Sequence, residues 1–304
     1  MPAADGGSPA RPGAFGSVRA GSVDPHPTMV SSALTDRSYR PPSGGRSLRP
    51  AATALYQAFA PLAPPTSMTI CPHCVDPAEV DVLCGPVTSL DPAVVARFVR
   101  KVGTTWGGPD DLRRVVPRAL TLAADHRLPI SRRALWQKLR WAGWANWPDD
   151  ERDAIGRFLL AEFGRLLAQP PHPATAAHRW LDEVSAGIDD LSGFWTVWHD
   201  TMGPLPAPEV QHAAVDHLVD LLTSSPLRPD LPATVGDVFA RPGAAVQLTE
   251  FLLGPGTDHE LRRAAAEAAG RRSARRLGVA VERLRRFRAA VERGAPVAPD
   301  QAIG

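Results

Sequence analysis

The stretch Trp136–Leu160, WQKLRWAGWANWPDDERDAIGRFLL, decides the fold class. It holds Trp136, Trp141, Trp144 and Trp147, half of the eight tryptophans in the chain. Taken with the residues before it, SRRALWQKLRWAG has Ser131 as an N-cap and Gly143 as a stop. Leu135, Leu139 and Ala142 make one stripe at about 100° per residue, while Trp136 lies roughly 95° and Trp141 roughly 125° from its centre. A helix with leucines on one side and indoles on another wants two neighbours. That predicts an inner helix of a pile, with Trp136 and Trp141 as packing residues, because indoles are highly buried on average. Trp144 and Trp147 fall in the link AGWANWPDDE, where a ring can face solvent. They are the candidate partner-binding residues. Trp195 and Trp198, three apart, read as core.

The same grammar extends in both directions. PDDERDAIGRFLLAEFGRLLAQ places Ile155, Phe158, Leu159, Phe163, Leu166 and Leu167 along one side of a helix. Upstream, DPAVVARFVRKVG has Asp91 as N-cap and Pro92 at the first helical position. GGPDDLRRVVPRALTLAADH opens with two acids where the helix dipole favours them, and Pro117 inside it predicts a kink or a fresh start. Downstream, ATAAHRWLDEVSAGI, DLSGFWTVWHDTM, PAPEVQHAAVDHLVDLLTSS, PGAAVQLTEFLLG and the segment from Asp258 all carry helical periodicity. No segment alternates with period two. The class is all-α: about eight helices in sequence, with short links that imply antiparallel neighbours, as an α-solenoid-like array or an irregular helical bundle. Catalytic turnover in a deep polar cleft built around Trp136 and Trp141 would contradict this reading, as would a central β-sheet.

The remaining composition marks the boundaries. Residues 1–67 are rich in Pro, Gly, Ser, Ala and Arg and are expected to lack packed structure, since too little apolar surface is present to offset the entropy of ordering. Residues 68–257 form the helical domain, 258–293 an Arg-rich C-terminal helix or helices, and 294–304 a disordered tail. The body carries 17 basic against 23 acidic side chains, and the Arg-rich end 11 against 5. No run approaches the length of a membrane span, and the start lacks the layout of a signal peptide. A cytoplasmic location is expected.

TTWGGPDDLRRVVPRALTL followed by WQKLRWAGWANWPDDERDAIGRFLLAEFGRLL resembles a family of uncharacterised bacterial all-helical proteins. The shared pattern is a Trp-Gly turn, an acidic helix start, a Pro-Arg inside the second helix and a Trp-Pro before an acidic cap, with a Cys-x-x-Cys-like segment upstream. The resemblance would cover about Cys71 to Glu260. It implies an ordered protein beginning near Met68 and brings no activity, cofactor or catalytic residue with it.

Chemistry is sparse. CPHC at Cys71–Cys74 is a half-site for tetrahedral zinc, with Cys84 as the remaining thiol. It also matches a disulfide oxidoreductase motif, but the strand-then-helix context which that chemistry needs is missing. No cofactor is expected, and zinc is the one metal that Cys71, Cys74 and Cys84 could serve. HExxH, GxSxG, P-loop and GxGxxG patterns are absent, so no catalytic residue is assigned. The acidic pairs sit at helix starts, where capping and dipole effects explain them.

The C-terminal RRSARRLGVAVERLRRFRAAVERG has Leu277, Val281, Leu284 and Val291 as a stripe amid arginines. Arg271, Arg272, Arg275, Arg276, Arg285 and Arg286 are the candidate contacts to nucleic acid or to an acidic partner. Docking on the acidic body is the plainer role. The expected function is a non-enzymatic interaction or scaffold protein with an unidentified protein partner. The alternatives are a nucleic-acid-associated protein acting through the basic end, and an enzyme of unrecognised type.

Overall fold

The structure, a computed structural model, describes residues 47–294 except 66, 174, 231 and 270–272. Residues 1–46 and 295–304, with most of the expected leader and nearly all of the expected tail, lie outside the described residues. Among the described residues thirteen α-helices account for the fold: α1 (Arg49–Phe59), α2 (Pro77–Cys84), α3 (Pro92–Lys101), α4 (Pro109–Ala124), α5 (Arg132–Trp141), α6 (Asp149–Leu167) and α7 (Ala177–Ser185), then α8 (Ser192–Met202), α9 (Pro208–Ser224), α10 (Val235–Val238), α11 (Pro242–Leu253), α12 (Pro255–Glu267) and α13 (Ala274–Glu292). One isolated bridge, Ile70 to Trp106, is the only β-pairing among the described residues, and there is no sheet.

The helix starts follow the sequence signals. Asp91 accepts from Ala93 N at 2.8 Å, and Ser131 accepts from Ala134 N at 3.2 Å. Asp76 forms a capping box with Glu79 at the start of α2, which satisfies two otherwise orphaned donors. α4 runs through Pro117 as one helix and does not start afresh there. The proline lacks only its own N–H bond, and its ring is buried among apolar neighbours that hold the turn together.

α6 is the axis. It buries Ala154, Ile155, Phe158, Leu159, Leu160, Phe163 and Leu167, covering more than one side. A helix apolar on several faces belongs in the interior. It packs against α1, α7, α8 and α9. α9 in turn touches α7, α8, α12 and α13. In a solenoid each unit meets only its neighbours in sequence. Here α1 lies on α6 across the whole intervening chain, so the arrangement is the irregular bundle rather than the open array.

Two boundaries need correction. The span 1–67 was expected to lack packed structure, yet α1 buries Leu55 and Phe59 in the core, and Tyr56 Oη hydrogen-bonds Thr121 Oγ1 at 3.1 Å. Leu48, Ala52, Leu55 and Phe59 recur at helical spacing; averaging over Pro- and Gly-rich neighbours hides that stripe. The boundary at 257/258 falls inside α12, and Leu261, Leu277, Leu284 and Phe287 belong to the same core cluster as the body. On α13 the buried stripe is Leu277, Ala280, Leu284, Phe287 and Ala290, with Val281 and Val291 at its edge. No described helix is long and apolar enough to cross a membrane.

Candidate functional site

α4 ends at Ala124, and the chain turns through His126, whose φ of 55° is the only left-handed non-glycine backbone among the described residues. It re-enters helix at Arg132. This corner, the end of α6 and the face of α7 enclose a cleft of about 460 Å³. Arg132 is its hub. Arg132 Nη2 donates to Glu162 Oε1 at 2.6 Å and to Ala123 O at 3.3 Å, and Nη1 lies 3.5 Å from Glu183 Oε2. Its guanidinium stands 5.6 Å from the centroid of the Trp180 ring. Trp180 Nε1 donates to the same Glu162 oxygen at 3.2 Å. Glu162 is only 4% exposed. A buried carboxylate is tolerable only when paired and hydrogen-bonded, and Arg132 with Trp180 supplies both. Arg165 Nη2 caps the carbonyl of Ala124 at 2.6 Å.

Two histidines are buried where α7 and α9 meet. His217 Nδ1 accepts from Ala177 N at 3.2 Å, so Nε2 carries the hydrogen and faces the carbonyls of Leu166 and Gln169 at 3.2 and 3.0 Å. Burial pushes its pKa down. His178 is pushed down to about 4, chiefly by burial, against the opposing pull of Asp220, whose Oδ2 is 3.8 Å away. Both are neutral at pH 7; the bonds of His217 tie α9 to Ala177 and to the end of α6, whereas His178 Nδ1 is buried without a hydrogen-bond partner among the described residues.

A second feature lies on α3 and α5. Trp141 is 47% exposed. It borders a groove of about 370 Å³ lined by Val99, Arg100, Ile130, Ala134, Gln137 and Lys138. Its ring rests on Gly103, and Lys138 Nζ sits 5.7 Å from the ring centroid while donating to Val102 O at 2.8 Å.

The expected site residues fall as follows. Trp144 is buried, Nε1 donating to Gly187 O at 2.9 Å and the ring set edge-on to Trp136 at 5.7 Å. Trp147 is half-buried, 6.0 Å from Phe59, with the Arg113 guanidinium over it at 5.9 Å. The expectation of exposed rings at Trp144 and Trp147 is therefore corrected: the link folds back as the turn Trp144–Asn146 and seats the rings against α1 and Gly187. The exposed ring is Trp141, so the expected sandwich holds for Trp136 alone.

Cys71 and Cys74 share one turn, Cys74 N donating to Cys71 O at 2.9 Å, and all three cysteines are free thiols. A backbone hydrogen bond from His73, followed by one from the Cys74 thiol, lowers the Cys71 pKa, while that of Cys74 is raised by the same thiol contact. Among the described residues no group of three or more His, Cys, Asp or Glu could hold a metal, so Cys84 does not complete a zinc site with Cys71 and Cys74.

On α13, Arg285 is bidentate to Glu282 at 2.9 and 2.8 Å, and Arg286 shares that carboxylate at 3.2 Å. Their hydrogen bonds, that of Arg285 first, hold the Glu282 pKa down to about 2. Arg276 reaches Asp220 at 3.4 Å, and Arg275 is exposed beside Val279. Arg271 and Arg272 lie outside the described residues.

The Arg132–Glu162–Trp180 cluster was not picked out in the sequence. Its one signal is an acid at position 162, in register with Phe158, Leu159 and Leu166 on an otherwise apolar helix face. No protein-family model matches the chain, and no curated protein or solved structure matches it.

Proposed function

We propose that the chain is a non-enzymatic protein-interaction scaffold that docks a partner on the α3–α5 face around Trp141. The observation that carries this is an indole half exposed yet seated, packed over Gly103 on one side and beside Lys138 on the other. Interface energy concentrates in rigid aromatic anchors, and a preplaced ring loses little entropy on binding. Val99, Ile130 and Ala134 supply apolar floor, and Arg100 and Lys138 a basic rim. The matching partner segment carries an apolar anchor flanked by carboxylates. Free thiols at Cys71 and Cys74 suit a reducing, cytoplasmic setting.

The basic C-terminal helix gives less support to nucleic-acid binding. Arg276, Arg285 and Arg286 already answer Asp220 and Glu282, and paired guanidinium groups release fewer counterions on meeting phosphate.

Affinity capture from native cells with the wild type, Trp141→Ser and Val279→Ser tests the reading. The expected result is a defined partner retained by the wild type and Val279→Ser and lost with Trp141→Ser. The same partner set with all three would overturn it.

A further inference from the structure

The cleft at the α4–α5 corner has a specific imbalance. Arg132 is fully engaged, and one oxygen of the buried Glu162 beside it is not. Arg132 spends Nη2 on Glu162 and Ala123 O, directs Nη1 at Glu183 and lays its face over Trp180. Arg165 spends Nη2 on Ala124 O. Glu162, by contrast, receives both of its hydrogen bonds on Oε1. Its Oε2 has no partner among the described residues, although the residue is 96% buried (4% exposed) and lines the cleft. Among the described residues, Asp125 stands exposed at the rim with no side-chain partner, and Glu183 has one oxygen left over.

The field has the same sign. Asp125, Glu162 and Glu183 outnumber Arg132 and Arg165. Helix ends balance: the C-terminal ends of α4 and α6, near Ala124 and Leu166, border the cleft, and so do the N-terminal ends of α5, at Ser131, and of α7, just after Thr175. Leu128, Ile130 and the wall of Trp180 add apolar lining. A cleft-facing carboxylate oxygen without a partner among the described residues, a surplus of carboxylates over guanidinium groups and an apolar wall suit a ligand that only donates and carries an alkyl stem.

We infer that this cleft binds an aliphatic primary ammonium group, its nitrogen on Glu162 Oε2 and its stem along Leu128 and Ile130. The inference is independent of the Trp141 face. The group could belong to a free alkylamine or to a lysine side chain, and the two differ in whether the stem continues into a peptide.

Isothermal titration of the full chain tests it, with 1,5-diaminopentane as the free amine, an acetylated and amidated Gly-Lys-Gly tripeptide as the lysine source, and glutarate as an anion of similar length. At least one ammonium probe binds, glutarate does not, and preference between the two probes identifies the source. Glu162→Gln keeps an acceptor for Arg132 and Trp180 but removes the charge, and weakens binding by about tenfold or more, the scale of one charge-assisted hydrogen bond. Asp125→Asn, at an exposed position that leaves the fold intact, weakens it by about two- to fivefold, the scale of a solvent-screened charge. Absence of heat with both ammonium probes, preference for glutarate, or undiminished binding by both variants overturns the inference.

Discussion

Gly103 and Trp141 fit one another: a β-carbon on Gly103 would stand 2.3 Å from Cζ2 of the indole. Gly103 also holds φ at 77°, where a side chain is strained regardless of space. Gly103→Ala is therefore expected to cost about 2 kcal/mol and to dislodge the ring. Thermal unfolding and the tryptophan emission maximum read the two effects separately. An alanine variant with native melting and native emission would refute the contact.

The two indoles of α5 separate packing from presentation. Trp136 is fully buried, so Trp136→Ala leaves a cavity and is expected to cost about 3–5 kcal/mol. Trp141→Ala removes a half-exposed ring and is expected to cost about 1 kcal/mol or less. Denaturant titration of both variants checks the contrast, and equal losses would mean that Trp141 is structural after all.

Acid should loosen the α7–α9 contact first. His178 has a folded pKa of about 4, below its ordinary 6.5, because burial disfavours the cation. A depressed histidine pKa means that protonation favours the unfolded chain. The contribution is present above pH 6.5 and lost as pH falls toward 4, to a limit of about 3 kcal/mol. The lowered pKa of His217 acts in the same direction. Stability measured from pH 7.5 to 4 should fall across this window, and His178→Gln should flatten the slope. A slope unchanged by that substitution would assign the acid sensitivity elsewhere.

Removing α1 exposes α6. A chain begun at Met68 lacks Leu55 and Phe59, both buried, and leaves Trp147 without the ring that covers it. Leu55→Ala alone is expected to cost about 2–5 kcal/mol. The truncated chain should melt earlier and bind hydrophobic dye, and native melting would show α1 to be dispensable.

Helix positions were legible because N-caps, first-turn acids and 3.6-residue stripes are local signals. Asp91, Ser131 and the apolar face of α6 all did what their spacing implies. Which ring ends up outside was not legible. Trp141 is exposed and Trp144 buried because the left-handed turn at Gly143 folds the following link back toward Gly187. Gly187 and Trp144 are 43 residues apart, and helical periodicity carries no information over that distance. The Glu162 cleft hid for the same reason: Arg132, Glu162 and Trp180 belong to three helices, and only the misplaced acid on α6 hinted at them. Composition alone could not show how the arginines of α13 are engaged: Arg285 and Arg286 meet Glu282 one turn away on the same helix, and Arg276 meets Asp220 on α9.

The seat of α1 on α6 also sets an order of events in time. On the ribosome α1 emerges well before its full cradle: α4, which Tyr56 meets at Thr121, comes first, and the larger seat on α6 follows only after about a hundred residues, a long loop that makes this contact a late one. Until then part of the apolar stripe at Leu55 and Phe59 stays uncovered, and transiently exposed stripes of this kind are where a nascent chain is open to association.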